Sequence, residues 1–253
     1  MHSEKVLGAI EKDRRDGTFC DLDIVCGETR FHAHRVVVCS HSSVIKAACL
    51  GPWKEGASGE FEIKESSDAL VRRMLDYIYT GNYDDLPSNH PKQDGKRSST
   101  KVAKLGPAPH VLLHAKMMEL GDMYLVDGLG LFANERFGVF LKSETTRNIL
   151  VDIVPEVYAM EFKSCRLIRK ILIDCMRKRL ARRPFPAEAE GPFEDATRDV
   201  PEFTRDLVKS YKDMPVLGHC DSCGNTKTVP VSPLQLKCLL CNRGGASNLR
   251  VWD

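Results

Sequence analysis

The sequence predicts an α+β fold, and three features of the chain carry this prediction. Short runs of alternating apolar and polar residues are interleaved with short helical stretches over the front of the chain. The middle of the chain has helical periodicity without further alternating runs. The end carries four of the ten cysteines in two CxxC pairs. Strands followed by runs of helices are typical of α+β proteins.

The first two strands are predicted to form a hairpin. Residues 20–26, CDLDIVC, place Leu22 and Ile24 in alternation with polar neighbours. The run RFHAHR alternates Phe31 and Ala33 with histidines. Because the two runs are joined through Gly27, they are expected to pair as antiparallel strands.

A third short strand, EFEI, and two helices complete the predicted front half. The stretch VVVCSHSSVIKAACLG predicts a short helix that Ser40, Ser42 or Ser43 could cap, ending at Gly51. The stretch SSDALVRRMLDYIYTG predicts an amphipathic helix, capped by Ser67 and closed by Gly81. Its apolar face is formed by Val71, Met74, Leu75 and Ile78.

The rest of the chain divides by composition. Residues 86–109 are rich in Pro, Ser and basic residues and are predicted to be a flexible basic insert. This insert is either a solvated loop without a function, or it carries a localisation signal or a phosphate-binding patch. A helical extension is expected over 141–183, and its basic face is either solvated or binds an acidic partner. Residues 184–217 are predicted to be a linker with a short helix, and 218–253 a separate zinc-ribbon-like element.

Several motifs resemble the BTB/POZ domain, over about residues 18–140. The family pattern runs Asp-Leu, strand, turn, Phe-x-x-His-basic, then Ser, and later Met-Leu-x-Tyr-x-Tyr-Thr-Gly. Its places are occupied here by Asp21-Leu22, Phe31, His34-Arg35, Ser40 and residues 74–81. The helices over 144–182 resemble the tail of many fungal members. The resemblance implies the BTB/POZ fold, a short three-stranded sheet with surrounding helices, and a structural role for His34.

The resemblance also implies an interaction module. BTB domains commonly dimerise, and many dock onto a cullin scaffold as ubiquitin-ligase substrate adaptors, while others recruit transcriptional corepressors. Asp21 and Arg35 match the family's charged dimer-pocket pair. Trp53 and Glu55, in Trp-Lys-Glu, match its cullin-docking signature, although Trp53 could instead pack on its own domain.

The cysteines at the end of the chain predict a structural zinc site. Cys220, Cys223, Cys238 and Cys241 have the CxxC…CxxC spacing of a four-cysteine ribbon. Four thiolates fill a tetrahedron and leave no open position for catalysis. Two redox disulfides, an iron centre, or His219 as a ligand in place of Cys220 remain open alternatives.

Composition and missing motifs narrow the function. No nucleotide-binding, hydrolase or metalloprotease motif is present in the sequence, so we expect no enzymatic activity. We expect neither a signal peptide nor a membrane span. The thiols are expected to be free, and the chain is expected in the nucleus or cytoplasm. A formal net charge of +2 argues only mildly against the alternative function, a transcription or chromatin regulator that binds nucleic acid through the ribbon and basic segments.

Overall fold

The structure is a computed structural model that describes residues 2–85, 108–142, 149–181, 187–213, 217–220 and 225–230. These residues form twelve helices and five strands. The strands are β1 (Leu22–Cys26), β2 (Thr29–Ala33), β3 (Glu60–Glu62), β4 (Leu217–Cys220) and β5 (Asn225–Pro230). The helices are α1 (His2–Asp16), α2 (Arg35–His41), α3 (Ser43–Leu50), α4 (Lys54–Ser58), α5 (Asp68–Thr80), α6 (Ala108–Met123), α7 (Leu129–Lys142), α8 (Ile149–Asp152), α9 (Val154–Ala159), α10 (Cys165–Ala181), α11 (Ala187–Asp199) and α12 (Pro201–Asp213).

The chain divides into two compact units. The first is formed by Met1–Phe140 with Met160–Ile168, and the second by Leu141–Ala159 with Arg169–Asp253. The predicted basic insert lies outside the described residues, except for its last two positions, which begin α6. No helix of the described ranges is both long enough and apolar enough to cross a membrane.

A three-stranded sheet with the order β2-β1-β3 lies in the first unit. β1 pairs antiparallel with β2, with Ile24 opposite Phe31, and Gly27 takes the left-handed conformation at the turn. β3 pairs parallel with β1. The predicted hairpin and third strand are confirmed. The alternation works as expected, because one face of the sheet is buried and consists of Leu22, Ile24, Cys26, Phe31, Ala33 and Phe61.

Helix α5 packs in the core with the face that the sequence predicts. Val71, Met74 and Leu75 are fully buried. The Ser67 hydroxyl accepts the Leu70 amide at 3.4 Å, and Gly81 ends the helix in the left-handed conformation. Both predicted caps are therefore present.

Helix α1 was not predicted, because its buried face carries charges where an apolar stripe would be expected. Glu11 and Arg14 are buried and form a two-bonded ion pair at 2.7 Å. Arg14 also bonds Asp76 of α5 at 2.8 Å. Burial opposes ionisation of Glu11, but the hydrogen bonds from Arg14 and Arg15 lower the pKa of its carboxyl. This ion-pair network fixes α1 against α5.

The described part of the second unit consists of helices and the β4–β5 hairpin, and the helices have their own core. Phe203 of α12 is fully buried, with the Tyr158 ring 5.8 Å away and the Phe193 ring 6.3 Å away. The Tyr158 hydroxyl donates to Asp206 at 3.0 Å, and the Arg169 guanidinium lies over the Tyr158 ring.

Residues 184–217 differ from the predicted linker with a short helix. α11 and α12 cover most of this range. The composition of α11 does not indicate a helix, because it contains Pro192 and, among its described side chains, only the small Ala189 and Ala196 are buried. α12 agrees with the predicted helix near 201–212, and it begins at Pro201, a residue suited to the first helical position.

Ser42 joins the short helices to the core of the first unit. Its hydroxyl accepts the Ile45 amide at 3.1 Å and so caps α3. The same hydroxyl donates to the Tyr124 carbonyl at 2.6 Å. Ser42 is fully buried, whereas Ser40 is exposed and, within the described part of the chain, bonds only Val36 of its own helix. Ser42, rather than Ser40, is therefore the serine that holds this region together.

Replacing Ser42 with alanine should lower the free energy of unfolding by about 1–3 kcal/mol, because it leaves a buried carbonyl without a donor and α3 without its cap. Urea denaturation followed by circular dichroism measures this loss. The matched control is Ser40→Ala, which should change stability by no more than about 0.5 kcal/mol. Equal losses for the two variants would contradict the assignment.

Candidate partner-binding sites

The Trp53 site lies on the connection between α3 and α4. α3 ends at Leu50, Gly51 follows, and Trp53 is the residue that precedes the first turn of α4. Trp53 is 64% exposed and Leu50 is 71% exposed. Trp53 was expected either to dock a partner or to pack on its own domain. Neither interpretation describes it fully, because one edge of its indole lies against Gly51 while most of the ring faces solvent.

Glu55 lies in the first turn of α4, two residues after Trp53. Its side chain is half-buried. Its carboxylate makes no hydrogen bond or ion pair with the described part of the chain, and its backbone carbonyl accepts the Gly59 amide at 3.2 Å. The site therefore offers two exposed apolar side chains and one carboxylate within six consecutive residues.

Asp21 and Arg35 are neighbours, but they do not form the predicted charge pair. The Asp21 carboxylate accepts the backbone amide of Arg35, the first residue of α2, at 2.6 Å. The Arg35 guanidinium lies instead near Gly59, and its Nε is buried without a hydrogen-bond partner among the described residues. The prediction of a side-chain pair is corrected here: the carboxylate bonds the free backbone amide at the start of α2, where a helix favours negative charge.

Phe19 lies beside this pair and was missed by the sequence reasoning. It is 86% exposed, and its φ of 57° places a non-glycine residue in the left-handed region. Such a conformation costs energy for a bulky side chain and is uncommon outside turns and functional positions. Sequence patterns do not report backbone conformation, so nothing in the sequence distinguished Phe19 from an ordinary loop residue.

His34 connects β2 to this region through a buried network. Its backbone amide donates to the Tyr79 hydroxyl at 2.7 Å, and Nδ1 lies 3.0 Å from the same oxygen. Nε2 lies 3.0 Å from the Thr18 carbonyl. In the neutral ring this arrangement places the proton on Nε2, because the Tyr79 hydroxyl donates to Nδ1. Burial raises the pKa of Tyr79 to about 12, so its hydroxyl stays protonated.

This network agrees with the structural role expected of His34, whose ring was predicted to bond the backbone. Arg14 lies over the Tyr79 ring, 5.1 Å from its centroid, and so links the histidine to the buried ion pair of α1. The start of the α2–α4 segment is therefore held in place by the core.

The predicted zinc ligands lie at the end of the chain. Cys220 is the last residue of β4, and its backbone is paired with Asn225 at the start of β5. The alternation in TKTVPV and in LQLKC predicts two short strands of the ribbon, and β5 includes most of the first. Cys223, Cys238, Cys241 and the second predicted strand, LQLKC, lie outside the described residues. Within the described ranges, no group of three or more His, Cys, Asp or Glu side chains is arranged to hold a metal.

The sheet β2-β1-β3 and its helical crossover form an α+β domain. Residues 10–93 match the family model of the BTB/POZ domain. The chain therefore contains a BTB/POZ domain, as the sequence motifs predicted.

Comparison with curated proteins finds relatives over the same part of the chain. Kelch-like protein 28 of Mus musculus is 32% identical over 81 residues, which cover 32% of this chain and 14% of that protein. Kelch-like protein 2 of Homo sapiens is 30% identical over 79 residues, which cover 31% and 13%. The chain thus spans only about one seventh of the length of the curated relatives it matches.

Solved structures give similar matches. The BTB domain of zebrafish PATZ1 is 20% identical, covers 53% of this chain and 89% of that one, and has a TM-score of 0.38. The BTB domain of human gigaxonin is 18% identical, with the same coverage and a TM-score of 0.36.

Proposed function

We propose that this chain is a non-enzymatic protein-interaction module, of the fungal BTB type, that acts in the nucleus or cytoplasm. Its BTB/POZ domain self-associates, docks onto a cullin ubiquitin-ligase scaffold as a substrate adaptor, or does both. A structural zinc site in the tail stabilises the end of the chain. The single observation that carries the proposal is the exposed Trp53 beside Leu50, at the place where the family has its docking signature.

The chemistry of the Trp53 site fits a protein partner. A tryptophan that is 64% exposed would remove a large apolar area from water on binding, which is typical of the anchor residues of interfaces. Leu50 adds a second apolar contact. The Glu55 carboxylate, which has no charged partner among the described residues, is available to a cation on the scaffold.

Self-association is supported by a different part of the same unit. Phe19 has an exposed ring and a backbone in the left-handed region, which costs conformational energy. A second copy of the chain that buries the ring would offset this energy. Phe19 lies two residues before Asp21, which matches the dimer-pocket position of the family. In this proposal Asp21 orders the start of α2 through the Arg35 amide and leaves the Arg35 guanidinium near Gly59.

Replacing Trp53 with alanine should weaken binding to a purified cullin scaffold by roughly 30-fold or more, the loss typical of an aromatic hot spot. Titration of the full chain by isothermal calorimetry measures the dissociation constant. Leu131→Ala is the matched control, because Leu131 is a 73% exposed leucine on α7 and is not part of the signature motif. It should bind like the parent chain.

Two results would reject the interaction proposal. One is a parent chain that stays monomeric in light scattering at high concentration and also retains no cullin. The other is equal weakening by Trp53→Ala and Leu131→Ala. Salt-dependent binding of nucleic acid by a chain that makes neither protein contact would favour the alternative, a transcription or chromatin regulator.

The zinc proposal rests on the cysteine spacing and on the β4–β5 hairpin. The first CxxC pair begins where β4 ends, and the chain resumes its pairing in β5 at Asn225. A hairpin end is where two thiolates of a CxxC pair converge on one ion. A short tail has little core of its own, so binding zinc would supply much of its folding free energy.

Elemental analysis of the purified chain should find one zinc per molecule, and Cys238→Ser should lose it. The control Cys39→Ser removes a half-buried thiol of α2 and should keep the metal. Iron in place of zinc, or no metal together with two disulfides by mass spectrometry, would overturn the zinc assignment.

A further inference from the structure

Gly51 lies directly beneath the exposed tryptophan. A β-carbon built on Gly51 would lie 2.4 Å from Cδ1 and 2.7 Å from Nε1 of the Trp53 indole, and 2.8 Å from the Ala47 carbonyl oxygen. The φ and ψ of Gly51 are −75° and 173°, which any residue adopts. Glycine is therefore required here by what lies against its α-carbon, and the nearest group is the indole ring.

A second glycine closes the same turn. A β-carbon on Gly56 would lie 2.9 Å from the Gly51 carbonyl oxygen and 3.1 Å from that of Cys49. The Gly56 amide donates to the Trp53 carbonyl at 3.1 Å. The backbone of Trp53 is thus fixed by α4 on one side and by the end of α3 on the other. The indole edge rests on Gly51, and the rest of the ring faces outward.

We propose that Gly51 is a positioning residue for Trp53: the absence of its side chain gives the indole a flat backbone seat that holds the exposed ring in one orientation. A side chain that is already ordered loses less freedom when a partner binds, so a fixed ring binds more tightly than a mobile one. The consequence for binding rests on the docking function proposed above. The seat itself is a property of the free chain.

The seat can be tested without a partner. The sequence has two tryptophans, so the Trp252→Phe background leaves Trp53 as the only tryptophan, which can be excited selectively at the red edge of the absorption band, where the tyrosines do not absorb. In that background, nuclear Overhauser contacts between the Gly51 α-protons and the indole ring are expected. Gly51→Ala should increase acrylamide quenching and speed the local anisotropy decay of Trp53. If the parent chain lacks these Overhauser contacts, the proposal is overturned even if Gly51→Ala fails to fold. It is also overturned if a folded Gly51→Ala chain shows unchanged acrylamide quenching and unchanged anisotropy decay of Trp53.

The effect on docking is measured separately. Gly51→Ala should weaken cullin binding about 2- to 10-fold, the loss expected from re-ordering one side chain. Gly130→Ala is the control, because a β-carbon on Gly130 meets nothing within 4 Å, and its affinity should match the parent. A folded Gly51→Ala chain with parental affinity would contradict the role in binding. If the parent binds no cullin, the docking function fails while the fluorescence and Overhauser results still decide the seat.

Discussion

The parallel pairing of β1 and β3 is the constraint on which the proposed interaction surface depends. Two parallel strands of one sheet cannot be joined by a tight turn and need a long crossover connection. Here the chain makes the β1–β2 hairpin and then crosses to β3 through α2, α3 and α4. Bonds from Asp23 to Gly59 and from Ile63 to Val25 fix the far end of this crossover on the sheet. Arg35, Leu50, Trp53 and Glu55 all lie on it.

Buried polar contacts fix the near end and the middle of the crossover. His34 bonds Tyr79 and the Thr18 carbonyl where β2 gives way to α2. Ser42 bonds the Tyr124 carbonyl between α2 and α3. Each contact satisfies a buried group that would otherwise be costly, so together they favour one arrangement of the short helices. A fixed crossover can then expose Leu50 and Trp53 without losing its own packing.

Much of the front half was predictable from sequence, since alternation, capping residues and a glycine turn determine the hairpin and α5. The side-chain contacts that set the geometry of the candidate partner-binding sites were harder to predict. α1 was missed because Glu11 and Arg14 occupy its buried face, so its pattern resembles a solvated segment. Asp21 and Arg35 were correctly expected to be neighbours, but sequence cannot say that the carboxylate bonds an amide rather than the guanidinium. The exposure of Trp53 and its seat on Gly51 depend on the path of the backbone.

The crossover between β2 and β3 is the proposed docking surface. Hydrogen exchange of the full chain, alone and with a purified cullin scaffold, tests it most directly, because exchange locates the contact without altering the chain. If the scaffold docks on this crossover, backbone amides over residues 49–56 should exchange more slowly in the complex, and those of the outer strand β2 should be unchanged. Binding that protects other segments and leaves residues 49–56 exchanging as in the free chain would contradict this docking proposal.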